Sequence, residues 1–277
     1  MTRHEYALLD VFTDRKFGGN PLAVFRDGAA VPERAMQPIA KELNLSETTF
    51  VLPPEKGGTH RVRIFTPGRE MPFAGHPTVG TAFVLSAGND AAFTFELGVG
   101  PVAVRVTGGF GQMEQPLPKF GDISQDRDAV ANGVGLVEAD IDPTAPLQVV
   151  SSGVPFRFVR LRTLAGLRRA RPLLPEDDTY LFTTETVEPA SAVHGRMFGS
   201  RALGIAEDPA TGGAHGPLGA YLVRNRIVPP GTFRSEQGFE MGRPSILTVE
   251  VDGTPEAITG VRVGGNCVTV GGGWMDV

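Results

Sequence analysis

An α+β fold built from two similar halves, each a strand-rich sheet around one buried helix, is what this sequence predicts, and three observations carry the prediction. First, the chain repeats itself. Gly19-Asn20-Pro21-Leu22-Ala23-Val24 matches Gly153-Val154-Pro155-Phe156-Arg157-Phe158, and Glu47-Thr48-Thr49-Phe50-Val51-Leu52 matches Asp178-Thr179-Tyr180-Leu181-Phe182-Thr183. Arg63-Ile64-Phe65 matches Arg196-Met197-Phe198, and Ala74-Gly75-His76 falls on Thr211-Gly212-Gly213. The matches keep their order and nearly constant spacing, and a period near half the chain excludes a solenoid, whose units run to roughly 20–50 residues. Second, 36 Gly and 23 Pro punctuate the chain, which favours many short strands joined by turns over a helical bundle. Third, segments 77–85 and 214–223 are apolar nearly all round, and all-round apolarity implies burial.

Taken in order, short apolar runs bounded by turn residues predict strands over 6–12, 22–25, 48–52, 60–65, 102–106, 156–161, 180–184, 246–251 and 267–270. Segment 32–43 places Ala35, Met36, Ile39, Ala40 and Leu43 on one stripe with Pro32 near the start, the pattern of a helix packed on a sheet. The helices over 77–85 and 214–223 carry Gly80, Ala82, Gly219 and Ala220, and each is expected at the centre of its own half. The division is placed at 1–118 and 119–277, with 115–135 as the crossing and the strand near Cys267 able to return to the first half.

Composition excludes several function classes. The 277 residues at 41% hydrophobic content suffice for a buried core. A net charge of -5 with interspersed signs argues against a nucleic-acid partner, which wants a concentrated basic surface. No apolar run approaches the roughly 18 residues of a membrane span, and the N-terminus runs directly into Tyr6-Ala7-Leu8-Leu9-Asp10-Val11-Phe12 with charges at Arg3, His4 and Glu5. The single Cys267 cannot form an internal disulfide, and no Cys/His set has metal-ligand spacing. The expectation is a soluble cytoplasmic protein with no metal.

Both glycine turns are expected immediately before the buried helices. The first N–H groups of a helix lack internal partners and sit at the positive end of its dipole, so Gly75-His76 and Gly212-Gly213 are candidate anion sites. If the halves face each other, both helix starts can meet one small carboxylic acid. The alternative reading makes both turns plain helix caps. Glu47 lies where a helix ends and a strand begins. It is either a solvated strand-edge carboxylate or, flanked by Leu45, Phe50 and Val51, a desolvated acid/base. His76 suits a neutral, ligand-facing imidazole. Asp208 either caps the turn before Gly212 or orients substrate, Asn20 is a turn residue or a donor, and His215 is a candidate to line the cleft. His4, His60 and His194 read as surface residues, and Cys267 as a buried strand residue.

Gly19-Asn20-Pro21-Leu22-Ala23-Val24-Phe25, Asn44-Leu45-Ser46-Glu47-Thr48-Thr49-Phe50-Val51, Ile64-Phe65-Thr66-Pro67, Pro72-Phe73-Ala74-Gly75-His76-Pro77, Glu207-Asp208-Pro209-Ala210-Thr211-Gly212 and Gly242-Arg243-Pro244-Ser245 closely resemble the PhzF-like phenazine-biosynthesis isomerase family over almost the whole chain. The resemblance implies the diaminopimelate-epimerase-like fold: two pseudo-symmetric halves, each a curved, mostly antiparallel sheet wrapped around a central helix, with the site between them. It implies isomerisation of trans-2,3-dihydro-3-hydroxyanthranilate without a cofactor, one acidic residue moving a proton from C3 to C1, and a homodimer. Residue by residue it places the catalytic Glu on Glu47, the histidine on His76 and the Asp on Asp208. Asn20 lies near the substrate, and the amides of Gly75, His76, Gly212 and Gly213 hold its carboxylate. One departure stands out. Members of the family carry Ser where this chain has Gly213, so a hydroxyl is missing there, and His215 stands at a position that varies.

Three functions compete: a cofactor-independent isomerase of a small unsaturated carboxylic acid, a two-thiol racemase or epimerase on the same scaffold, and a binding protein that kept the cleft and lost turnover. One cysteine in the whole chain rules out two-thiol chemistry. Retention of Glu47, His76 and Asp208 together argues against the binding protein.

Overall fold

The computed structural model describes residues 2–201 and 205–277. The chain divides into two units, Met1–Glu114 with Gly264–Val277, and Gln115–Val263. Elements follow in the order β1 (Arg3–Val11), β2 (Asn20–Phe25), α1 (Glu33–Leu43), β3 (Glu47–Leu52), β4 (His60–Phe65), β5 (Glu70–Met71), α2 (Gly75–Ser86), β6 (Ala91–Leu97), β7 (Gly100–Thr107) and β8 (Phe110–Glu114). Then come β9 (Lys119–Ser124), α3 (Arg127–Gly133), β10 (Leu147–Ser151), β11 (Pro155–Arg160), α4 (Leu164–Arg169), β12 (Thr179–Thr183), β13 (Val193–Phe198), β14 (Glu207–Asp208), α5 (Gly212–Arg224), β15 (Gly231–Gln237), β16 (Ser245–Gly253) and β17 (Ile258–Asp276).

In the first unit β1 pairs antiparallel with both β2 and the end of β17, while β2 runs parallel to β3 and β4 parallel to β6. The pairs β3–β4, β4–β5, β6–β7 and β7–β8 are antiparallel. The strands β1, β2, β3, β6, β7 and β8 all touch α2, so the sheet curls around that helix. Ten of its twelve residues are buried, which is why it shows no polar face. Close approach is possible because Gly80 leaves room: a Cβ there would sit 2.6 Å from Leu22 and 2.7 Å from Val11. On the outer face α1 packs Met36, Ile39 and Ala40 against Phe25, Phe50 and Phe65. With both faces covered, β3 is buried from Glu47 to Val51 and needs no polar alternation.

The second unit repeats the plan. β11 runs parallel to β12 and β13 parallel to β15, with antiparallel partners at matching places. α5, with twelve of thirteen residues buried, packs on β10, β11 and β16. Leu167 and Ala170 at α4 and Ala131 in α3 cover the other face against Val159, Leu181 and Phe198. The correspondence extends to side chains. Arg63 makes a two-pronged pair with Glu70 and lies over Phe65, as Arg196 does with Glu207 and Phe198. The molecule is therefore α+β, with sheets that wrap single helices.

Some expectations are displaced. The glycine turns do not precede the helices; they are the first turns. Ala74 and Thr211 are the N-caps, so Gly75-His76 and Gly212-Gly213 occupy the first two helical positions. The first unit ends at Glu114, not 118, and β9 already pairs with β10 inside the stretch expected as a crossing. β17 runs for 19 residues, its last part belonging to the first unit.

Candidate active site

β3 brings Glu47 to its site by simple alternation. Glu47 and Thr49 share one face, and the Thr49 hydroxyl lies 2.9 Å from that of Thr81 on α2, so this face looks at the helix. Glu47, 8% exposed, places Oε2 3.3 Å from Nε2 of His76 in the first turn of α2. The two atoms are near without hydrogen-bond alignment. Burial pushes the His76 pKa down to about 3, opposed by a hydrogen bond to the backbone of Pro21. Pro21 has no N–H, so the imidazole donates to its carbonyl. His76 is neutral at pH 7, and its approach to Glu47 is not an ion pair. Asn20, next to Pro21 at the start of β2, is fully buried.

The α2 N-cap, Ala74, supplies no side-chain hydrogen bond, and Pro77 has no N–H to offer. The Thr78 hydroxyl donates instead to the Ala74 carbonyl at 2.7 Å. By helix geometry the amides of Gly75 and His76 are without intrahelical acceptors.

In the second unit Asp208 ends β14 at 5% exposure and accepts from the Thr211 hydroxyl at 2.6 Å. Thr211 is the N-cap of α5, yet its side chain does not cap the helix. The Gly212 carbonyl accepts from Gln115 Nε2 at 2.8 Å, and Gly213 takes the second helical position with no side chain. Ala214 N–H is occupied by Thr211 O at 3.0 Å. These residues offer the amides of Gly212 and Gly213 as the second candidate anion site.

His215 departs from expectation. It does not line an open cleft: it is fully buried, its Nδ1 donating to Thr211 O at 2.8 Å and its Nε2 meeting Ser235 Oγ at 3.0 Å and Tyr180 Oη at 3.2 Å. Burial lowers its pKa to about 4, against a hydrogen bond to Thr211. Its ring supports the turn. His194, read as a surface residue, is also fully buried, between Glu236 at 3.0 Å and Glu240 at 3.1 Å. Burial alone would lower its pKa, but those two carboxylates reverse the sign and raise it. His4 is buried as well, and Cys267 sits 9% exposed in β17, its thiol pushed up to about 12 by burial.

Gln237, which the sequence did not single out, is fully buried at the centre of the second site, bonded to Asp208, Thr211 and Tyr180. A signal for it exists. Phe95-Glu96-Leu97-Gly98 and Ser235-Glu236-Gln237-Gly238 are one more match between the halves. Among the described residues no group of three or more His, Cys, Asp or Glu side chains is arranged to hold a metal, and no helix is long and apolar enough to cross a membrane.

The family model described as phenazine biosynthesis-like protein matches residues 9–273. The chain is 37% identical over 282 residues to a trans-2,3-dihydro-3-hydroxyanthranilate isomerase of Pseudomonas fluorescens, covering 98% of each chain. Its structure is similar to that of a PhzF-family phenazine biosynthesis protein from Bacillus anthracis, with a TM-score of 0.91, 28% identity and full coverage of both chains. A hydroxyproline epimerase from Agrobacterium vitis, at 14% identity and a TM-score of 0.67 over 99% of this chain and 91% of that one, shares the fold alone. A family match across nearly the whole length, on an epimerase-like α+β scaffold, makes this chain a member of the phenazine biosynthesis-like PhzC-PhzF family, and an isomerase.

Proposed function

We propose that the protein isomerises trans-2,3-dihydro-3-hydroxyanthranilate, or a small unsaturated carboxylic acid of the same kind, by a proton shift that needs no cofactor. Glu47 takes the proton from C3 as the C–H bond breaks and the double bond moves, and returns it to C1. Electrons and atoms balance within the substrate, so no oxidant or reductant enters. The observation that carries this reading is the buried Glu47 carboxylate 3.3 Å from the neutral imidazole of His76 at the start of α2. A neutral His76 does not neutralise the carboxylate, and it presents its unbonded Nε2 beside the proton carrier.

Helix-start amides, Gly75 and His76 in the first unit and Gly212 and Gly213 in the second, are each a candidate site for a substrate carboxylate or for charge that builds during the shift. Asp208 orients the substrate's polar substituents, and Asn20 stands near it. The missing side chain at Gly213 removes a hydroxyl but leaves the N–H, so carboxylate binding is retained.

Incubation with trans-2,3-dihydro-3-hydroxyanthranilate in heavy water, followed by mass spectrometry, tests the assignment. Conversion to an isomer of unchanged composition, apart from exchange at the reprotonated carbon, is expected. Saturable binding by folded protein with neither product nor exchange would overturn the isomerisation and leave a binding protein.

A further inference from the structure

Three matching positions in the two units differ in kind. β5 and β14 pair with their neighbours in the same register, Ile64 opposite Met71 and Met197 opposite Asp208. Ala74 and Thr211 are the two N-caps. Arg61 faces Glu96 where His194 faces Glu236, so Leu97 corresponds to Gln237. The first unit thus builds these places from Met71, Ala74 and Leu97, and the second from Asp208, Thr211 and Gln237. The scaffold does not require polar groups there. A buried amide is costly unless its hydrogen bonds are made, and here all of them are.

Gln237 Oε1 accepts from Thr211 N–H at 3.0 Å and from Tyr180 O–H at 3.3 Å. Its Nε2 donates to Asp208 O at 2.7 Å and to Thr211 Oγ1 at 3.0 Å. With one lone pair engaged by that amide, the Thr211 hydroxyl turns its proton to Asp208 Oδ2 at 2.6 Å. A Thr at an N-cap ordinarily accepts from the second or third helical N–H; Thr211 does not. The frame behind Gln237 is rigid. Glu236, fully buried, accepts from Val187 and Glu188 N–H. Gly238, at φ +80°, lies so near the Pro209 and Arg243 carbonyls that no Cβ fits. Ser245 Oγ is 3.1 Å from the Pro209 carbonyl.

We infer that Gln237 is a positioning residue: it holds the Thr211 hydroxyl on Asp208 and off the start of α5, which fixes the Asp208 carboxylate and leaves the Gly212 and Gly213 amides to the substrate carboxylate. The inference rests on the function proposed above. Without Gln237 the Thr211 hydroxyl is released to cap its own helix and competes with substrate for the N–H of Gly213.

Steady-state kinetics on Gln237→Leu, which installs the residue of the first unit, and on Gln237→Leu with Thr211→Val test it. The single variant raises KM about tenfold, the size of one cap hydrogen bond. The double variant recovers the part of that rise that comes from competition at the helix start, because no hydroxyl remains to cap the helix. A merely structural role predicts additive loss with no recovery. Calorimetric Kd for 2-aminobenzoate gives the same comparison without turnover, and thermal melts confirm folding. An unchanged KM and Kd in Gln237→Leu, or a rise that Thr211→Val does not relieve, overturns the inference while the proposed isomerisation stands. Wild-type protein that neither converts substrate nor binds 2-aminobenzoate removes the reading beneath it, and the inference falls too.

Discussion

His76 is 3% exposed, and the folded chain holds it neutral, with a pKa near 3 instead of 6.5. The unfolded chain therefore binds a proton more readily than the folded one throughout that interval. The contribution of His76 to stability is full above pH 6.5 and drains away as pH falls toward 3. By pH 5 the loss from this residue is about 2 kcal/mol. His76→Asn keeps a donor for the Pro21 carbonyl but has no proton to gain. Thermal melts of the two proteins between pH 7 and pH 4 are expected to diverge, the wild type losing more stability. Parallel curves would show that burial does not hold His76 neutral. His194 has the opposite sign: its raised pKa gives stability that is present below the ordinary histidine range and lost as pH rises through the folded value. Only the first histidine stands beside Glu47.

At the scale of elements, the two central helices depend on glycine for close approach to their sheets. Gly80 lies against Leu22, Val11 and Leu9, and Gly219 against Val249 and Val251. A methyl group at Gly80 would sit 2.6 Å from Leu22 Cδ2, and since α2 is enclosed by strands the helix must shift or the sheet must open. Gly80→Ala is expected to destabilise by about 1–3 kcal/mol, despite the better helix propensity of Ala. Chemical denaturation measures the change; an unchanged midpoint would mean that Leu22 and Val11 repack freely. Because α2 carries His76, the same variant is also expected to slow turnover.

For the molecule as a whole, the duplication was legible because its best-preserved segments are those that build each core: β2 and β11, β3 and β12, and the first turns of α2 and α5. These are apolar runs set off by Gly and Pro, which sequence patterns read well. β15 was not legible. Its inner end, Ser235-Glu236-Gln237, is fully buried yet wholly polar, so it reads as surface loop, and with it the support of Asp208 was missed. β17 was seen over four of its residues. The run Gly271-Gly272-Gly273 breaks any strand pattern, but a Cβ at Gly272 or Gly273 would strike Tyr6 of β1, at 2.7 Å and 2.6 Å. The contacts of His194 with Glu236 and Glu240 were hidden because those partners lie far from it in sequence and leave no local pattern. Glu47, His76 and Asp208 were legible as motif residues, while the nearness of Glu47 to His76 required β3 and α2 to be placed against each other.

One carboxylate carries the proton in the proposed isomerisation, and Glu47→Gln tests this most directly because the amide keeps shape and loses the acid/base function. Turnover of trans-2,3-dihydro-3-hydroxyanthranilate by the full chain is predicted to fall by about 10²–10⁴-fold, with the affinity for 2-aminobenzoate and the melting temperature little changed. A Glu47→Gln enzyme that turned over at the wild-type rate would show that Glu47 is not the proton carrier.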